Sequence, residues 1–210
     1  MAIVNSQLNT KVKTGVVRFS YVHVFEPTAF DESQEPKYSV MLLIDKKDKE
    51  TTDAINTAYK NAVAQGVSRF GEGFKKRVND LLCKPGDTKG LIRDGDTDPR
   101  YEDDSETYGG KYVLNCKCKS APGVIAIETG MQRLTLENGG PEIFYSGCYG
   151  KATFNLYPFS KAGNIGVAVG LNNLLKTRDG ENLGGKVSAE SDFGAELSDL
   201  SNYDEDGLLG

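Results

Sequence analysis

The chain has 210 residues with 25 bases and 30 acids, a formal charge of −5 at pH 7. Twenty-four glycines, ten tyrosines, nine phenylalanines and no tryptophan favour turn-rich β structure over a helical bundle, at a length that suits one sizeable domain or a domain with an insertion. No run approaches the about 18–20 apolar residues of a membrane span, and residues 1–6 lack a basic region followed by an apolar one, so neither a membrane segment nor a signal peptide is expected.

The charge is unevenly placed. Residues 186–210 hold Lys186 against seven carboxylates (Glu190, Asp192, Glu196, Asp199, Asp204, Glu205, Asp206) and sit at −6, which leaves residues 1–185 at +1. A near-neutral body can approach a polyanion, while such a tail competes for the same basic surface or recruits a partner. Cys116 and Cys118 form C-x-C, and Cys83 and Cys148 stand alone. Neither a disulfide framework nor the paired spacing of a zinc site is present, and ordinary buried, reduced thiols in a cytoplasmic protein are expected.

The first strand covers residues 16–25, with Val17, Phe19, Tyr21, His23 and Phe25 on one face. Glu26-Pro27 is expected to end it. Residues 37–44 alternate again and read as a return beside it. The period then becomes helical. Ile55, Ala58, Tyr59, Ala62 and Val63 share a face, with Thr51 or Thr52 as cap and Gly66 as stop. A second short helix is expected over about 72–82, exposing Lys75, Lys76 and Arg77. Together they form one helical insertion, about 50–83.

Residues 84–110 are rich in Gly, Asp and Pro and lack a period, as a long functional loop would. Residues 111–119 alternate, with Lys111, Lys117 and Lys119 on one face and Tyr112, Leu114, Cys116 and Cys118 on the other. After the turn Ala121-Pro122-Gly123 comes a short strand over 124–127, and Asn138-Gly139-Gly140-Pro141 makes another turn. Residues 147–159 put Tyr149, Lys151, Thr153, Asn155, Tyr157 and Phe159 on one face. Ile165, Val167, Val169 and Leu171 then alternate with small residues that suggest a close backbone approach or a barrel bend. From residue 186 the period is lost and disorder is expected.

These elements predict a mainly β (α+β) fold: a five- to six-stranded OB-fold-like barrel over residues 1–185 with the helical insertion, followed by a flexible acidic tail over 186–210.

Tyr149, Lys151, Tyr157 and Phe159, joined by Lys111, Lys117 and Lys119 if the two strands are neighbours, combine cations with rings. Single-stranded nucleic acid needs both, phosphates tracked by charge and bases stacked on π faces. The plainer reading, an amphipathic strand with aromatics at core edges, is the one that pattern alone favours. Around Phe19, Tyr21 and His23 a core reading is favoured more strongly.

Asp94, Asp96 and Asp98 match the first calcium-ligand positions of an EF-hand loop, but Pro99 replaces its glycine and Ser105 stands where the bidentate Glu belongs. The acidic cluster through Asp104 could hold magnesium for phosphodiester cleavage, against the favoured reading of a solvated loop. Arg93, Arg100 and Tyr101 could still meet a nucleic-acid backbone. The lone histidine, the missing G-x-S-x-G and the missing P-loop give nucleophilic or nucleotide chemistry no support. No catalytic residue, metal or cofactor is expected.

Gly15-Val16-Val17-Arg18-Phe19-Ser20-Tyr21-Val22-His23-Val24-Phe25-Glu26-Pro27 and Pro36-Lys37-Tyr38-Ser39-Val40 resemble the opening of a bacteriophage single-stranded-DNA-binding protein family. Arg93-Asp94-Gly95-Asp96, Tyr145-Ser146-Gly147-Cys148-Tyr149, Tyr157-Pro158-Phe159, Gly170-Leu171-Asn172-Asn173 and Asp192-Phe193 extend the likeness in order along the body. The resemblance implies an oligonucleotide-binding barrel, sequence-independent DNA binding, a role in phage replication or recombination within the infected host's cytoplasm, and no catalytic residues. Duplex DNA is a second possible ligand, since phosphate contacts do not require a single strand. Acidic tails of similar proteins engage phage or host replication partners. Here Asp204, Glu205 and Asp206 with Leu208 and Leu209 would do so, although the Leu-Leu-Gly ending departs from the usual aromatic tip. Two rivals remain: a metal-dependent phosphodiesterase using the 94–104 loop, and a virion or assembly protein.

Overall fold

The structure is a computed structural model that describes residues 8–29, 35–84, 90–161 and 163–184. The tail at 186–210 and the expectation of disorder there lie outside the described residues. In chain order come β1 (Lys11–Lys13), β2 (Val17–Thr28), β3 (Lys37–Asp45), α1 (Lys49–Phe70), α2 (Gly73–Arg77), β4 (Ile92–Asp94), a 3-10 turn (Pro99–Asp104), α3 (Ser105–Tyr108), β5 (Lys111–Cys118), β6 (Gly123–Ala126), α4 (Gly140–Ile143), β7 (Tyr149–Lys161) and β8 (Asn164–Arg178).

Five strands close a ring. β2 pairs antiparallel with β3, β3 antiparallel with β5, and β5 parallel with β8. β8 pairs antiparallel with β7, and β7 returns to β2 through Val17↔Gly150 and Arg18↔Tyr149. This is the five-stranded Greek-key barrel of the OB fold, as the sequence predicts. β1, β4 and β6 are short additions on β7, β5 and β8.

Alternation fills the ring. Gly150, Ala152, Phe154 and Leu156 of β7 face inward, where Phe154 and Leu156 meet Phe19, Leu42, Leu114, Cys116 and Leu174 in one core. Tyr149, Lys151, Thr153, Asn155 and Tyr157 consequently face outward. Gly150 lies against the Leu175 carbonyl and the Phe19 ring, so the tight bend there has no room for a side chain. The four cysteines are unpaired. Burial pushes the Cys148 thiol up to about 11 and raises that of Cys116 further still.

Several boundaries differ from expectation for local reasons. α1 starts earlier because Asp48, not Thr51 or Thr52, caps it: its carboxylate accepts the Thr51 N–H at 3.0 Å. It also passes through Gly66 and ends at Gly71, whose φ of 86° suits a residue without Cβ. The expected helix over 72–82 is only the five residues of α2, since Val78 is already extended. β2 runs past Pro27 to Thr28, where it pairs with Lys37.

One shift matters more. Between Ser20 and His23 the β2–β3 register slips at a bulge, and Tyr21 adopts a left-handed φ of 46°. The inserted residue reverses the inward face. Phe19 and Val24 are buried, while Tyr21 and His23 are exposed. The expected shared face of Phe19, Tyr21 and His23 is therefore cut in two.

Gly66 lies directly beneath the ring of Phe74, which is itself in the core. Glycine-to-alanine inside a helix ordinarily stabilises by about 1 kcal/mol. Here the added methyl would overlap the ring, so Gly66→Ala is expected to destabilise by about 1–3 kcal/mol in urea unfolding. A rise in stability would show that the α1–α2 contact yields freely.

Candidate nucleic-acid interface

The strand pairings align a row of outward side chains around the barrel. His23 lies opposite Ser39, Ser39 opposite Lys117, Lys117 opposite Gly170, Gly170 opposite Asn155, and Asn155 opposite Lys11. These six residues come from β2, β3, β5, β8, β7 and β1. Five interstrand steps of about 4.8 Å make a track about 24 Å long. A recess of about 420 Å³ occupies one end, lined by Tyr21, His23, Lys37, Ser39, Met41, Asn115 and Lys117 among others. A wider recess of about 560 Å³ occupies the other, with Lys11, Lys119, Asn155 and Asn172 on its wall. The strand 2–3 face of an OB barrel is its usual oligonucleotide surface, and the first recess lies on it.

Two rings stand on this surface. Tyr21 is 61% exposed at the β2 bulge, so its unfavourable backbone geometry holds an aromatic ring in solvent at the recess wall. Tyr157 is 48% exposed, and its ring covers Gly170, where a Cβ would come within 3.2 Å of it. The glycine thus lets the ring lie across β8 beside Lys117. Lys119, just past β5, bonds Glu35 at 2.6 Å. That hydrogen bond and the charge of Lys119 hold the Glu35 carboxyl below its ordinary range against burial, with lesser help from the charges of Lys37 and Lys161. Lys119 and Lys37 thus share one rim of the track with Glu35.

The other sequence candidates scatter. β5 and β7 are not neighbours, because β8 lies between them, so the face that their adjacency would have built is interrupted. Lys111 lies at the far end of β5, 3.4 Å from Asp45. Lys151 is half-buried on the outer face of β7. Phe159 packs onto Gly166. Tyr149 is eight residues from Tyr157, about 26 Å along the strand. Its ring lies between two guanidinium groups, Arg178 at 3.6 Å and Arg18 at 5.6 Å from its centroid.

Tyr101 is 7% exposed and stacks on Tyr108 at 4.2 Å, in a small core with Leu43 and Val113. It has no free face for a base in this conformation. Arg93 contacts Asp98 at 3.4 Å. Sequence reasoning missed Tyr21, His23, Lys37 and Lys11. The available signal was that Val22 and Val24 suit the core as well as their neighbours do, so a single bulge could exchange the faces.

The carboxylates of the 94–104 loop are engaged locally. Asp94 and Asp96 both accept from Lys46, whose pKa stays raised by those hydrogen bonds although burial opposes them. Asp96 also accepts the Gly110 N–H at 2.7 Å. Asp98 accepts two bonds from the Arg100 side chain at 2.9 and 2.8 Å, and Asp104 accepts the Thr107 N–H at 3.1 Å. These bonds fold the loop against β5, and among the described residues no three His, Cys, Asp or Glu side chains converge in a metal-binding group. No described helix is long and apolar enough to cross a membrane.

Comparison with known proteins places this geometry in a lineage. Protein p50 of Acyrthosiphon pisum secondary endosymbiont phage 1 is 28% identical over 200 residues, covering 95% of this chain and 98% of its own. The single-stranded DNA-binding protein of bacteriophage Enc34, solved in complex with single-stranded DNA, is 25% identical with a TM-score of 0.64, over 83% of this chain and 90% of that one. The single-stranded DNA-binding protein gp2.5 of bacteriophage T7 is similar in fold, with a TM-score of 0.53 at 15% identity over 95% of this chain and 98% of its own. The family described as the single-stranded DNA-binding protein of Enterobacter phage Enc34 matches residues 10–206, nearly the whole chain, and it is to this family that the protein belongs.

Proposed function

We propose that the protein binds single-stranded DNA without sequence preference along the His23–Lys11 row and protects it during phage replication or recombination in the infected host's cytoplasm. The observation that carries this reading is the solved relative bound to single-stranded DNA. The row adds the chemistry: Lys11, Lys37, Lys117 and Lys119 follow phosphates, and Tyr21 and Tyr157 offer rings to bases. Duplex DNA would use the lysines but not the rings, so the proposed order of affinity is single strand over duplex.

The acidic tail fits the same reading as a competitor. The last described stretch brings Gly184 to a recess that also contains Tyr21 and His23, so the described chain ends next to the track. A 25-residue coil has a typical end-to-end span of about 25–30 Å, the length of the track. Its −6 charge would occupy the lysines when DNA is absent, and its Asp204, Glu205, Asp206, Leu208 and Leu209 would recruit replication proteins when DNA displaces it.

Labelled oligothymidylate should bind with a strong salt dependence. Tyr21→Ala and Tyr157→Ala should each weaken it by about 1–3 kcal/mol, while Tyr149→Ala should change it little because Arg178 already covers that ring. Equal losses from all three would relocate the site. No salt-sensitive binding by the unaltered protein would refute the function itself.

Deletion of residues 186–210 should raise affinity for single-stranded DNA several-fold at low salt, with the gain shrinking as salt screens the tail. Fluorescence titration of both forms across a salt series would measure this. No difference at any salt would leave the tail without a regulatory part.

A further inference from the structure

Lys75, Lys76 and Arg77 are consecutive, exposed residues of α2 that the row does not use. α2 is held firmly for so short a helix. Phe74 is buried in the core, and Arg77 Nη2 donates to the Gly163 carbonyl at 2.9 Å. Just beyond, the Asn79 side chain exchanges bonds with the backbone of Val167, accepting its N–H at 2.7 Å and donating to its carbonyl at 3.4 Å. The helix is thus fastened to the end of the β7–β8 hairpin. Lys161, the last residue of β7, acts with Lys119 and Lys37 on Glu35, which lines the recess at one end of the track.

Cations distant in sequence are linked through these contacts: Lys119, just past β5, and Lys161 both act on Glu35, and Lys75 and Lys76 stand on the helix that Arg77 ties to Gly163. An exposed run of ammonium groups, fastened to the hairpin beyond the proposed phosphate-tracking row, suits more of the same ligand. Phe159 and Phe74 in this region are packed rather than free, so the helix offers charge without stacking.

We propose that α2 and the hairpin end form a second, purely electrostatic contact for the backbone of single-stranded DNA that has left the row. The site is therefore bipartite, and its outer part is reached only by longer strands. This rests on the DNA-binding function proposed above.

The test uses the full chain carrying Lys75→Ala with Lys76→Ala; Arg77 is retained because it fastens the hairpin. Binding is measured across a salt series with oligothymidylates of about 8 and about 30 nucleotides, below and above the span of one barrel. The expected result is unchanged affinity for the short strand, several-fold weaker binding of the long one, and a salt slope for the long strand smaller by about 1.4, the counterion release of two lysines on single-stranded DNA. Undiminished binding of the long strand, or equal losses at both lengths, would overturn the bipartite site while leaving the row intact. Failure of the unaltered protein to bind either strand would instead remove the function on which it rests.

Discussion

The structure depends on one constraint: a sheet closed on itself must keep one face of every strand inside. Once β7 pairs with both β8 and β2, the small and apolar residues of β7 are committed to the core, and Tyr157 and Asn155 must face outward. The same closure brings β5 and β8 together in parallel, which aligns Lys117 with Gly170. A track around the barrel is then a by-product of register. No loop has to fold in order to place its central residues, because strand register alone sets them.

Two local departures adapt that regular surface. The β2 bulge costs backbone strain at Tyr21 and turns its ring outward while Phe19 stays inside. Gly170 does the opposite by removing a side chain, so the Tyr157 ring can lie down over the neighbouring strand. One ring stands at the recess wall and one lies across the row, separated by lysine and small polar side chains. That spacing matches the two needs of a single strand, stacking and charge neutralisation.

The remaining charged loop is structural by the same physical accounting. Lys46, whose ammonium lies over the ring of Tyr112, draws Asp94 and Asp96 together, and Asp98, nearly buried, is satisfied by two arginines. A buried carboxylate without such partners would be costly. The carboxylates of the acidic motif are thus engaged by neighbouring side chains, and the stacked rings of Tyr101 and Tyr108 form a small core of their own.

By itself the sequence determined the strand alternation, the helical insertion, the location of the charge asymmetry and the barrel class, because these follow from side-chain period and composition, which are local. It expected Lys117, Lys119 and Tyr157 to face outward, and they are exposed, since each continues the polar face of a strongly alternating strand. It misassigned Tyr21 and His23, because a single bulged residue reverses a strand's faces without altering its apolar content. It left open whether the lysines of β5 join the outer face of β7, and β8 lies between the two strands, because strand order is not encoded in the alternation of any one strand. Tertiary structure alone decided those points, together with the burial of Tyr101 and the meeting of α2 with the hairpin end. Each is a relation between segments far apart in the chain, which only closure of the barrel brings within contact.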